Sequence, residues 1–259
     1  MNLLKTDEAG NPIELVTPII TMERKREGGA VTVDLIAAVH FAERDYYEEL
    51  NRRFTRYEIV LVEMIAPKGT TLAQIAASAG KKNNKLTRVG FLETLQRGMG
   101  KTLGLVNQID AVDYSAGNLV LADMDAETLF ARIRENGELG DIFRGLWKTD
   151  SEVSEDDGVA EPELSLARFL LSRDKRRLLK RVFAVEIARG QGEEKPLFEE
   201  SLIRDRNTIV LDELRRRIKT GTDNLGLFYG AVHIPDIQHR LEEDGFRAVH
   251  TEEITAWRL

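Results

Sequence analysis

His40 and His233 each end an apolar run, and both stand in the same short sequence. Ala38-Val39-His40-Phe41-Ala42-Glu43 is matched by Ala231-Val232-His233-Ile234-Pro235-Asp236. Each copy reads Ala-Val-His, an apolar residue, a small residue or proline, and an acid. A neutral imidazole is a general base near neutral pH and the commonest metal-ligating side chain. The end of a buried strand is a rigid mount for either role. The chain holds only four histidines, so a matched pair is informative. The competing reading, in which each histidine caps a helix start or satisfies a buried hydrogen bond, suits an isolated histidine better than two in one context.

Glu63 is the next candidate. It closes the apolar run Ile59-Val60-Leu61-Val62, where a carboxylate is costly without a partner. It is either a site residue, a plain exposed strand end, or half of an ion pair with an arginine. His40, His233 and Glu63 together suit a divalent metal with open positions. Such a metal lowers the pKa of a bound water and makes a hydroxide nucleophile. No His-Glu-x-x-His helix is present, so the ordinary zinc-protease signature is absent. Arg204-Asp205-Arg206-Asn207 lies inside an amphipathic helix. One of its arginines reaches inward to a carboxylate or a substrate oxyanion, or the whole stretch is a solvated face. Asp123, Asn207, Glu43 and Asp236 are further candidates for supporting or substrate-binding roles in the same cleft. Gly98-Met99-Gly100-Lys101-Thr102 imitates a phosphate loop, but the required first glycine falls at Leu95 and the stretch lies in a helical pattern.

The elements that must position these groups are legible from periodicity. Val31 to Ala38 reads as a strand, Ala42 to Arg56 as a helix and Ile59 to Glu63 as a second strand. Consecutive Val, Ile and Leu suit strands buried on both faces of a parallel sheet. The helix has Tyr46, Tyr47, Leu50 and Phe54 on one side and leaves Glu43, Arg44, Glu48, Arg52 and Arg53 to water. Leu225 to Val249 repeats the design: apolar strand, histidine, helix, further strand. Residues 1–16 read as a loose leading segment with a turn at Ala9-Gly10-Asn11-Pro12. Thr17 to Glu23 is a strand, joined to the next through Gly28-Gly29 by a loop longer than the tightest hairpins. A loop follows Glu63, at the sheet edge where ligands bind in open α/β folds.

Thr71 to Asn107 is helical in pattern, with Leu86 to Leu105 its longest run. Asn118 to Ala122 is a short strand, and Asp123 or Asp125 caps a helix over Ala126 to Arg134. Lys148 to Glu163 is acidic and almost free of large apolar residues, as in a solvated loop. Ser165 to Ile187 is a helix, basic from Arg173 to Arg181, which reads as a solvated face. Glu199 to Lys219 is another, with Leu202, Ile209, Val210, Leu214 and Ile218 facing a core. Ile254 to Leu259 is a last strand.

At 259 residues, 42% hydrophobic and 31% charged, the chain is long enough to bury a real core. Its net charge of −7 argues against a general nucleic-acid binder. Lack of cysteine removes disulfides, thiolate zinc sites and cysteine nucleophiles. No apolar run approaches the about 20 residues of a membrane span. The opening MNLLKTDEAGNPIEL is unlike a signal peptide, so a cytoplasmic location is expected.

Taken in order, these motifs resemble the TraB/GumN family, which includes the pheromone-shutdown proteins and the Tiki proteases. That family belongs to a wider group with erythromycin esterase and the ChaN-like haem-binding proteins. Its marks are two Gly-x-x-His motifs, a glutamate ending the strand after the first, and a Glu-Arg helix motif before the second. Here Gly230-Ala231-Val232-His233 matches the second motif. Ala37-Ala38-Val39-His40 departs from the first at its glycine. Glu63 matches the family glutamate, and Asp205-Arg206-Asn207 carries Asp in place of Glu. Gln108 to Tyr114, followed by Ala122 to Asp125, resembles the family's middle region. The resemblance covers most of residues 30–259. It implies a single α/β domain with a central, mostly parallel sheet made of two related strand-His-helix-strand halves, residues 1–70 and 221–259. Residues 71–220 form a mainly helical insertion between them. It also implies a metal-dependent hydrolase of a peptide or another acyl bond. His40 and His233 bind manganese, cobalt or zinc, or act together at the water. Glu63 is ligand or base, and Arg206 orients the carboxylate or an oxyanion. The alternative is a binding protein that sequesters a peptide or small ligand in the same cleft without turnover.

Overall fold

The computed structural model describes residues 2–78, 103–135 and 200–259, together with residues 177, 180, 181, 184, 185, 187 and 188. Among the described residues nine strands run in chain order: β1 (Leu4–Thr6), β2 (Pro12–Arg26), β3 (Gly29–Ala38), β4 (Phe41–Ala42), β5 (Ile59–Val62), β6 (Val106–Asn107), β7 (Leu119–Leu121), β8 (Asn224–Gly230) and β9 (Arg247–Arg258). The helices whose bounds lie among the described residues are α1 (Arg44–Phe54), α2 (Leu72–Ser78), α3 (Gln108–Ala111), α4 (Ala126–Glu135), α5 (Glu200–Lys219) and α6 (Ile234–Glu243). A short 3-10 turn, Ala231–His233, leads into α6.

The apolar runs do what their composition requires. β3, β8, β5 and β7 lie side by side, all parallel, in a seven-stranded sheet whose end strand on this side is β7 among the described residues. Leu35, Leu61 and Leu227 are fully buried there. The fold is therefore α/β with a mostly parallel central sheet. The antiparallel part is β2, which pairs with β1, β3 and β9. The two strands of the first histidine unit, β3 and β5, are not neighbours, because β8 runs between them. β9, the strand after the second histidine, runs antiparallel to β2. Residues 71–220 give the sheet a strand, β7, as well as helices.

Several boundaries differ from those expected from the sequence, each for a local reason. The leading residues are not loose: β1 pairs with β2, and Leu3 and Leu15 are fully buried. The Asp7 carboxylate accepts from the Ala9 and Asn11 amides and so closes the turn. The β2–β3 hairpin is tight, since Arg26 pairs with Gly29 and only Glu27-Gly28 lies between. Gly28 supplies the left-handed φ of +82°. Helix α1 starts at Arg44 because Phe41–Ala42 pairs with Val106–Asn107 instead. The Glu43 amide then donates to the Ala256 carbonyl at 2.8 Å. Ala256 lies at a register shift in the β2–β9 ladder. Arg53 is not left to water; it bridges Glu49 and Glu252. The last strand begins at Arg247, so two expected strands are one.

Tyr46, Tyr47, Leu50 and Phe54 form the buried face of α1, as its periodicity requires. Helix α5 turns Arg206, Asn207, Val210, Leu211 and Leu214 inward, while Ile209, expected in the core, is 37% exposed. The polar pair at 206 and 207 sets that stripe. Among the described residues no helix is long and apolar enough to cross a membrane. The expected Lys148–Glu163 loop, the phosphate-loop imitation at 98–102, and most of the runs 86–105 and 165–187 lie outside the described residues.

Candidate functional site

The parallel register aligns three strand ends. Ala38 pairs with Gly230, and Val62 pairs with Phe228. His40, Glu63 and His233 therefore all emerge at the C-terminal edge of the parallel strands, where open α/β sheets bind ligands. Glu63 continues the ladder by one bond, its amide donating to the Phe228 carbonyl at 3.0 Å. Its Oε2 accepts from the Gly230 amide. A β-carbon at Gly230 would lie 3.0 Å from that oxygen, so the glycine makes the close approach possible.

Arg206 reaches this edge from α5. Its Nε and Nη2 clamp Asp123 at 2.9 and 2.8 Å, and Nη2 also donates to Glu63 Oε1 at 2.5 Å. Such two-pronged guanidinium–carboxylate pairing fixes orientation as well as charge. The Asp123 side chain is fully buried and that of Glu63 is 15% exposed. Of the two aspartates offered as helix caps, Asp125 takes the role, accepting from the Thr128 amide. Asp123 is thus left for Arg206. Burial works to raise the pKa of Glu63. The Arg206 guanidinium, then His233 and His40, outweigh it and hold the group well below the usual carboxylate range. The same two carboxylates outweigh burial at Arg206 and push its pKa further up.

His233 is buried and has partners on both ring nitrogens. Nδ1 lies 2.6 Å from Asn207 Oδ1. The Asn207 amide nitrogen donates to Asp236 Oδ2 at 2.7 Å, so the oxygen faces the ring and Nδ1 carries the hydrogen. Nε2 faces Arg206 Nη1 at 3.3 Å and Glu63 Oε1 at 3.4 Å. Tyr229 packs edge-on against the ring. One chain of contacts thus runs from Asp236 through Asn207, His233 and Arg206 to Glu63 and Asp123.

His40 is different. It is exposed, and its side chain makes no hydrogen bond among the described residues. It is near enough to act electrostatically on Glu63. Glu43 is not part of the cluster: its carboxylate takes Lys180 at 2.9 Å and Arg258 at 3.5 Å. The structure thus brings Glu63, Arg206, His233, Asp123, Asn207 and Asp236 together, with His40 at the same edge of the sheet. Gln108 and Tyr114 were given no role by the sequence, although they stand in the middle-region stretch. Their bond to each other crosses only six positions, and nothing in the pattern marks it.

The donor set does not fit a divalent cation in this arrangement. Among the described residues, no three His, Asp or Glu side chains are grouped to hold one. Both Glu63 oxygens and both His233 nitrogens already have partners, and one guanidinium contacts both carboxylates and the ring. The expected set of His40, His233 and Glu63 is therefore not assembled as a ligand cage. A cavity of about 240 Å³ lies at the opposite end of the strands, lined by Arg24, Leu214, Ile218, Leu241 and Phe246. It holds none of these groups. Compared with known proteins, the chain matches no family model, no curated protein and no solved structure.

Proposed function

We propose that this sheet edge is a hydrolytic site for an acyl bond, peptide or ester, that works without a resident metal. The observation that carries the reading is an exposed imidazole, His40, without a side-chain hydrogen bond among the described residues, at the same sheet edge as a carboxylate held ionised by a buried arginine. In this reading His40 is the general base. It takes a proton from water as the water oxygen bonds to the acyl carbon. It then gives that proton to the leaving oxygen or nitrogen as the acyl bond breaks. The fixed negative charge of Glu63 favours the imidazolium formed in between. Arg206, with Asp123 and His233 around it, keeps Glu63 charged and in place. The reading includes the TraB/GumN resemblance and takes the two Ala-Val-His units as related halves of one site.

The test is turnover on a panel of activated esters and short peptides, wild type beside His40→Ala. General-base assistance contributes about 100- to 10,000-fold, so the variant is expected to lose at least 100-fold while staying folded. Equal rates in the two proteins would overturn the proposal. One observation favours a second reading: every polar group of Glu63, Arg206 and His233 is already satisfied within the protein. Such a locked floor suits a site that binds a peptide or small ligand without turning it over. That reading predicts no turnover in the wild type and a loss of affinity alone in His40→Ala.

A further inference from the structure

Beside His40 stands a wall of donors to which the hydrolytic reading has given no part. The Gln108 amide donates to the His40 carbonyl at 2.9 Å. The Gln108 side chain, through Nε2, donates to the Tyr114 hydroxyl oxygen at 3.1 Å. One residue therefore fixes both the main chain of the histidine and the phenol. Gln108 and Tyr114 are 7% and 2% exposed, so neither is a surface contact.

A phenol oxygen that accepts from an amide keeps its own O–H to give away. No acceptor for that proton is found among the described side chains. Burial pushes the Tyr114 hydroxyl up by more than the Gln108 bond lowers it, and the nearby Glu63 charge adds to the rise. The group therefore stays protonated at neutral pH. The neighbouring Asn107 has the same character. Its Oδ1 caps α3 through the Ile109 amide at 2.9 Å, while its buried Nδ2 has no partner among the described residues. Asn107 pairs across the β4–β6 ladder with Phe41, the residue after His40. The wall thus offers spare donors on residues tied, through Gln108 and the β4–β6 pairing, to the main chain of His40 and Phe41. Hydrolysis at an acyl carbon needs a donor, since negative charge gathers on the carbonyl oxygen as water adds.

We propose that Tyr114 is that donor, a catalytic residue whose O–H, aimed by Gln108, hydrogen-bonds to the acyl oxygen as charge develops on it. Gln108 is a positioning residue. The inference rests on the hydrolytic reading of the same cleft.

The test compares hydrolysis of p-nitrophenyl acetate and butyrate by wild type, His40→Ala, Tyr114→Phe and Gln108→Leu. Loss of one oxyanion donor costs about 100-fold or more in kcat. Tyr114→Phe is expected to show that loss with KM unchanged. Gln108→Leu is expected to show a smaller fall, also in kcat, which a merely structural role would not confine to that constant. An active wild type, an inactive His40→Ala and a fully active Tyr114→Phe would overturn the assignment and leave the hydrolytic reading standing. A wild type no faster than His40→Ala would overturn both. Should Tyr114→Phe fail to fold, Gln108→Leu decides: an unchanged kcat overturns the inference.

Discussion

The two Ala-Val-His segments have the same local sequence and opposite fates. His233 is buried at 2% exposure, with Asn207 on one nitrogen and Arg206 and Glu63 facing the other. His40 is exposed and free of side-chain hydrogen bonds among the described residues. The difference comes from the path of the chain after each histidine and from the helix packed over one of them. After His233 the chain coils directly into α6, with Pro235 in its first turn, and α5 brings Arg206 and Asn207 against the ring. After His40 the chain stays extended for β4 and pairs with β6. A repeated motif therefore fixes where a histidine stands at the sheet edge. It does not fix whether that histidine is a structural member or a working one.

The comparison is broken most severely at Arg206. Arg206→Met should cost about 3–5 kcal/mol in urea denaturation, because it leaves buried Asp123 and Glu63 without their cation. Acid probes the same contact. The folded pKa of Glu63 lies below its ordinary 4.5. Its contribution is therefore complete above that value and is lost as pH falls through the folded pKa. Stability measured from pH 7 downward should hold to about pH 5 and then fall, and Arg206→Met should flatten this component.

A smaller effect is expected at Asn207. Asn207→Leu strands His233 Nδ1 and the Asp236 contact, at about 1–3 kcal/mol per unsatisfied group. Exchanging the motif residues sharpens the comparison further. Gly230→Ala places a β-carbon against Glu63 Oε2 and should cost about 1–3 kcal/mol. Ala37→Gly in β3 should cost only about 0.5–1 kcal/mol. Least of all, His40→Ala should change stability by no more than about 0.5 kcal/mol, whereas His233→Ala should behave like Asn207→Leu. Thermal melts of the two histidine variants, run side by side, check that contrast.

The parallel centre of the sheet was legible because runs such as Ile59-Val60-Leu61-Val62 are apolar on both faces, and only a doubly covered strand accommodates them. The place of Glu63 at a strand end was legible because a polar group closes an apolar run there, whereas the 204–207 stretch left an inward arginine and a solvated face equally open, and the structure turns Arg206 inward. The insertion of β8 between β3 and β5 was not legible, because strand order is a long-range choice that no local pattern encodes. The exposure of Ile209 and the engagement of Arg53 by Glu252 also depend on distant partners. The Gln108–Tyr114 bond escaped because amide and phenol are common in cores and carry no spacing rule. Glu43 was grouped with the site because its segment matches the one that ends in Asp236, but Lys180 and Arg258 of β9 take its carboxylate instead.

The central claim is that a hydrolytic cleft works with an arginine where a metal was expected. Its most direct test is turnover on acyl esters by chelator-treated protein, with metal content measured on the same sample and His40→Ala alongside. The account predicts turnover in metal-free wild type and none in His40→Ala, whose melting temperature is unchanged. Turnover that vanishes with chelator and returns with one equivalent of manganese, cobalt or zinc would contradict it.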